Sequence, residues 1–194
     1  MAFHLHRALR MLAMMIFISG AASAQPPPPN GTQSGVTPQD RSFLQHAAAG
    51  GMAEVELGRM AQARAANGEV KAFGERMVSD HGKANETLKQ LAERKGVALP
   101  SQASAEQRKA AERLDRLSGP DFDLGYMKHM VEDHKADVAA FDKAARSDGD
   151  AEVRAFAART LPTLQQHLQQ AQSTYAQLRG HDPANRAAAS SPRR

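Results

Sequence analysis

Phe122–Phe141 reads FDLGYMKHMVEDHKADVAAF, and its spacing decides the fold. Met127, His134 and Phe141 stand one heptad apart, and Met130 lies one turn before His134. Apolar residues recurring at these intervals mark one face of an α-helix, whereas a half-buried strand would alternate at every second residue. His134 therefore lies on an apolar stripe, and the segment predicts a helix with a histidine turned toward the core.

Outward from this stretch the same pattern returns. Met130-Val131-Glu132-Asp133-His134-Lys135-Ala136 echoes Met77-Val78-Ser79-Asp80-His81-Gly82-Lys83-Ala84, and Glu152-Val153-Arg154-Ala155-Phe156 echoes Glu69-Val70-Lys71-Ala72-Phe73. The echoes do not pair one helix with one helix, so they are not a tandem duplication. They do predict similar faces on several helices around one core.

Punctuation sets the boundaries. Thr37-Pro38-Gln39-Asp40 is a helix start, with a hydroxyl cap, a proline in the first turn and an acid behind it. This first helix is expected to reach about Ala66, with a bend at Gly50-Gly51. The second is expected from about Glu69 to Lys95, ended by Gly96. Ser104 with Gln107 reads as a capping box for a short third helix ending near Leu117. The fourth starts at Ser118-Gly119-Pro120-Asp121 and runs to about Arg146. The fifth runs to about Arg179 and contains Pro162, which predicts a kink. The expectation is an all-α bundle of four long helices and one short one over residues 37–179.

The ends differ in composition. Residues 1–24 carry Arg7 and Arg10, then the apolar run MLAMMIFISGAASA, closing on Ala22-Ser23-Ala24. That run is too short to span a bilayer and reads as a signal peptide cleaved before Gln25. Residues 25–36, QPPPPNGTQSGV, form a Pro-rich linker expected to be disordered, and residues 180–194 a similar tail. No cysteine follows the apolar run, so a lipoprotein anchor is excluded. The protein is thus expected to be periplasmic or associated with the outer membrane, without a transmembrane span after signal removal.

The 194-residue chain contains no Cys and no Trp. Thiolate ligands and disulfides are therefore excluded. Without the leader, 23 basic residues face 21 acidic ones. Such interspersed charge lacks the concentrated basic face of a nucleic-acid groove. The expected partner is an envelope protein or a second copy of the chain. No phosphate loop, HExxH motif or serine–histidine pattern occurs, so no catalytic residue is assigned and an enzyme is disfavoured.

Candidate chemistry lies on the apolar stripes. His81 sits about 40° from Met77 around the second helix. In the fifth helix His167 is surrounded by Leu164, Leu168 and Ala171. Glu54 stands among Ala47, Gly50, Leu57 and Ala61 in the first, whereas Glu56 looks exposed. A buried carboxylate needs a metal, a histidine or an arginine. A lone inward histidine more often packs than ligates. Three of them with an inward acid point to one shared site of Glu54, His81, His134 and His167, suited to iron, copper or zinc. Asp80 and Asp133 are read as solvated acids paired with Lys83 or Lys135, with contact to the site as the alternative. Met77 and Met130 are read as core filler, although a soft ion such as Cu(I) would also suit them.

The segments AAAGGMAEVELGRMA, VKAFGERMVSDH, FDLGYMKHMVEDHKADVAAF and VRAFAARTLPTLQQHL together resemble bacterial exported proteins of domain of unknown function 4142. These are often labelled outer membrane proteins and placed among the ferritin-like bundles. The resemblance implies a ferritin-like four-helix bundle with one additional short helix and an envelope location, and it implies no activity. Ferritin-like di-iron proteins use two Glu-x-x-His motifs. Here Val78, Val131 and Leu164 stand three residues before the histidines, so the usual di-iron site is not expected. The leading expectation is transition-metal binding for storage, buffering or envelope stress tolerance. Its rival is a metal-free envelope interaction or structural protein whose histidines only pack and hydrogen-bond.

Overall fold

The computed structural model describes residues 35–181. The expected signal peptide, nearly all of the linker and the tail beyond residue 181 lie outside the described residues. Five helices follow one another, α1 Pro38–Arg64, α2 Gly68–Lys95, α3 Ala105–Asp115, α4 Gly119–Ala145 and α5 Ala151–His181, and the described residues contain no strand. None of these helices is long and apolar enough to cross a membrane.

Local chemistry places the ends. Thr37 and Asp40 form a reciprocal capping box, as do Ser104 and Gln107. Asn67 caps α2 by accepting the Glu69 amide at 2.7 Å. Gly96 ends α2 at φ 63°, in the left-handed region that glycine enters without steric cost. Asp150 caps α5, accepting the amides of Glu152 and Val153. α1 runs as one helix through Gly50-Gly51, and α5 extends to His181. Gly51 makes room for a neighbour, because a side chain there would strike the Asn85 amide of α2. α5 carries Pro162 without ending there, since a proline removes only one backbone hydrogen bond.

α1 packs along α2, and α4 along α5. The two hairpins then meet, α2 against α5 and α1 against α4, while α3 lies on α1 and α4. Side-chain ties fix which ends coincide. The Asp150 amide donates to Asp40 at 3.0 Å and Lys95 pairs with Asp150 at 2.8 Å, joining the starts of α1 and α5 to the end of α2. At the other end the amides of Ala66 and Asn67 donate to Asp123 at the start of α4. α2 and α4 therefore run in the same direction, and the connection carrying α3 crosses the length of the structure.

Two apolar clusters fill the interior. One gathers Leu57, Phe73, Met77, Tyr126, Met130 and Ala171, and the other Leu44, Ala48, Leu88, Phe141, Phe156 and Leu164. On every long helix the boundary between them falls at a polar residue: Glu54 between Ala48 and Leu57, His81 between Met77 and Leu88, His134 between Met130 and Phe141, and His167 between Leu164 and Ala171. The four candidates thus share one depth.

That register depends on close contact between α1 and α2. A Cβ on Gly74 would lie 2.7 Å from the Gly58 carbonyl oxygen and 2.8 Å from the Ala61 Cβ. Backbone cannot yield as a flexible side-chain tip can, so Gly74→Ala must push the helices apart. Overpacking of this kind costs about 1–3 kcal/mol. Thermal melting should show the variant unfolding several degrees below the parent, and an unchanged melting temperature would refute the close approach.

Candidate metal centre

His81, His134 and His167 meet between the two apolar clusters. Their ring centroids form a nearly equilateral triangle, with His81–His134 5.6 Å, His81–His167 5.5 Å and His134–His167 5.4 Å. Phe73 closes one side, with its ring centroid 6.2 Å from His134 and 6.3 Å from His167. All three histidines are buried. One ring nitrogen from each lies within 4.8 Å of the other two.

Hydrogen bonds set the tautomers. His134 Nδ1 is 3.0 Å from the Met130 carbonyl oxygen, which can only accept, so Nδ1 carries the proton. His167 Nε2 likewise donates to Asp80 Oδ2 at 2.9 Å. The lone pairs then remain on His134 Nε2 and His167 Nδ1. These two atoms, with His81 Nε2, are buried and have no hydrogen-bonding partner. A carbonyl behind His134 and a carboxylate behind His167 are the kind of partner that orients metal-ligating histidines.

Electrostatics keeps the rings neutral. Burial, then the neighbouring histidines, pushes His81 down to about 3. Burial and the charge of a protonated His167 push His134 down to about 4. Burial also lowers His167, against the pull of Asp80. Three unprotonated imidazoles are the form that a metal requires.

Glu54 is fully buried, and its Oε1 lies 3.8 Å from His134 Nδ1, the nitrogen turned toward Met130. It therefore stands beside the histidine triangle, outside the group of three nitrogens. Burial and then Asp133 raise its carboxyl well above the usual range. As an anion Glu54 finds no donor for either oxygen. With one proton shared, it hydrogen-bonds to Asp133, which burial opposes but that bond holds low. Asp137 is raised to about 7, by burial and by the charge of Asp133. Tyr126 is buried with its hydroxyl unpartnered, and burial followed by the charge of Glu54 raises it.

Among the described residues, every buried side-chain nitrogen or oxygen that lacks a partner belongs to Glu54, His81, Tyr126, His134 or His167. Unpaired buried polar atoms are costly, and here they are confined to one neighbourhood rather than scattered.

Two expectations are corrected. Asp80 bonds to His167 and lies 3.5 Å from Arg76, and Asp133 faces Glu54, so neither is simply a solvated acid paired with a lysine. A helix-face argument sees only partners three or four residues away, whereas His167 is 87 residues from Asp80. Asp137 and Tyr126 were not singled out by the sequence. Tyr126 reads as ordinary core, and one turn separates Asp137 from Asp133 as it separates many solvated acids. Met77 and Met130 are fully buried in the apolar cluster that contains Phe73 and Tyr126, consistent with core filler.

The fold and site define an all-α protein with a buried three-histidine cluster. The chain belongs to the DUF4142 family (Domain of unknown function), whose model matches residues 25–174. Solved structures with a similar fold include a DUF305 fragment from Deinococcus radiodurans, at TM-score 0.65 and 16% identity, covering 74% of this chain and 99% of that one. A DUF305 protein from Streptomyces coelicolor, described as secreted, matches at TM-score 0.63 and 12% identity, covering 72% and 92%. No curated protein matches the sequence.

Proposed function

We propose that this protein is an exported, ferritin-like four-helix bundle that binds one transition-metal ion through His81, His134 and His167. Glu54 would supply the fourth ligand by swinging past the edge of His134. The carrying observation is that His134 and His167 commit one ring nitrogen each to Met130 and Asp80, which leaves His134 Nε2, His167 Nδ1 and His81 Nε2 buried and unpartnered in a cluster whose ring nitrogens come within 4.8 Å of one another. A histidine network that only packed would instead turn some protons inward, where the neighbouring lone pairs could accept them.

Ligation at about 2.0–2.1 Å holds tetrahedral nitrogens about 3.4 Å apart. From nitrogens within 4.8 Å of one another, the cluster needs to contract by about 1.4 Å at its widest. Three imidazoles and a carboxylate suit zinc, iron or copper. The single crossover connection supports the ferritin-like reading. Export is supported by the leader-like residues 1–24 and by the similar fold of a DUF305 protein described as secreted, and its destination would be the periplasm or the outer membrane. Its role there would be storage, buffering or stress tolerance.

The test is plasma mass spectrometry of the untagged protein purified from its own cell envelope, with melting curves before and after chelation. Near-stoichiometric iron, copper or zinc and a melting temperature that falls on chelation are expected, because a ligand bound only by the folded state stabilises it. A folded protein that contains no metal and takes up none when zinc, Fe(II) and copper are added would leave the metal-free interaction protein as the better reading.

A further inference from the structure

The histidine triangle leaves two nearby acids unused. Asp133 and Asp137 lie one turn apart on α4, and both are partly exposed. Each acts electrostatically on Glu54 of α1, and Asp133 also shares a hydrogen bond with it. Glu54 is fully buried, its oxygens lack a donor, and it reaches to 3.8 Å from His134. The series therefore runs from carboxylates that meet solvent, through one sealed in the interior, to the first histidine.

Such a series has a physical use. A divalent cation leaving water for a low-dielectric interior needs an anionic oxygen to replace its hydration at each stage. The opposite side of the cluster is less suitable. Asp80 is occupied by His167, and the Arg76 guanidinium 3.5 Å away repels a cation. The α1/α2 side is sealed by the close contact of Gly58 with Gly74. The α1/α4 seam carries two partly exposed acids and one fully buried acid, and it meets along a shorter line than either hairpin.

We propose that Asp137, Asp133 and Glu54 form a loading path along the α1/α4 seam, passing a divalent transition-metal ion from solvent to His81, His134 and His167. This rests on the metal-site reading above and adds a route and a direction to it. Because ions enter and leave by one path, losing an acid should slow both processes and move the equilibrium less than either rate.

The experiment mixes metal-free full-length protein with Co(II) in a stopped-flow spectrometer and follows the d–d absorbance. Dissociation is measured separately by adding excess chelator. Asp137→Asn and Asp133→Asn are compared with the parent and with Glu132→Gln, an exposed acid on the same helix. Circular dichroism verifies that each variant is folded. Association and dissociation are both expected to slow by about tenfold in the two Asn variants, a modest part of the range for charge-steered encounter. Glu132→Gln should load at the parent rate. Parent-like loading in both Asn variants overturns the path. So does faster dissociation with weakened affinity, which would make the aspartates ligands instead. A parent protein that takes up no Co(II) fails earlier, at the metal site itself.

Discussion

A His134→Ala variant is expected to lose stoichiometric metal binding while remaining folded. His134 sits in the polar layer, fully buried, with its proton committed to Met130 and its Nε2 free. Alanine removes one of three neutral nitrogen donors and leaves two that cannot define a site alone. The affinity loss should exceed the roughly 10–100-fold cost of disturbing an outer partner of a ligating histidine. Asp80→Asn supplies that comparison. It keeps the shape beside His167 but removes the anionic acceptor, so binding should weaken within that range and persist. Competition with a chromogenic chelator measures both variants. Full metal content in the His134→Ala protein would place the ion elsewhere. Equal losses in the two variants would argue for general loosening of the core rather than ligation.

Stability should respond separately. Removing the imidazole opens a cavity beside Phe73, which costs stability, but it also removes a buried nitrogen that has no partner. The metal-free variant is therefore expected to melt close to the metal-free parent. Its clearest defect should be the absence of any rise in melting temperature when metal is added.

The histidines were legible in the sequence because burial leaves a period. His81, His134 and His167 each fall among apolar residues spaced at helical intervals, and an imidazole on such a stripe must point inward whatever the neighbouring helices do. The ends of the helices were legible for a similar reason, since Thr37, Ser104 and Gly96 act within a few residues of themselves. Partners across helices were not. Asp80 lies about 100° around the helix from His81, at the border between core and solvent, and only the docking of α5 decides that it meets His167. Gly58 and Gly74 show the same limit: one helix cannot reveal that the other's carbonyl passes 2.7 Å from where its side chain would begin. Sequence periodicity thus locates the buried histidines, whereas the groups that orient them depend on how the hairpins pack.

Glu54→Gln should have opposite effects on stability and on metal affinity, and pH should separate them. The folded-state carboxyl of Glu54 is raised, first by burial and then by Asp133. The folded protein therefore keeps a proton that the unfolded chain releases above about pH 4.5. This group's contribution to stability is fully present below that value and is lost as pH rises through its folded range. Glutamine stays neutral at every pH and can donate its amide to Asp133, so it suffers no such loss. His81 and His134 oppose this trend, because their lowered values cost stability as pH falls below about 6.5, but they do so equally in parent and variant. The difference in stability should therefore be near zero below about pH 4.5 and grow in favour of Glu54→Gln toward pH 8, reaching on the order of 1–3 kcal/mol. Added metal should reverse the order, because the parent alone can offer an anionic fourth ligand. A variant less stable than the metal-free parent at pH 8 would mean that Glu54 already has a good partner in the folded chain, and its place in the metal site would fall. A buried acid that destabilises the empty protein and strengthens the filled one is retained for its ligand, since packing alone would favour replacing it.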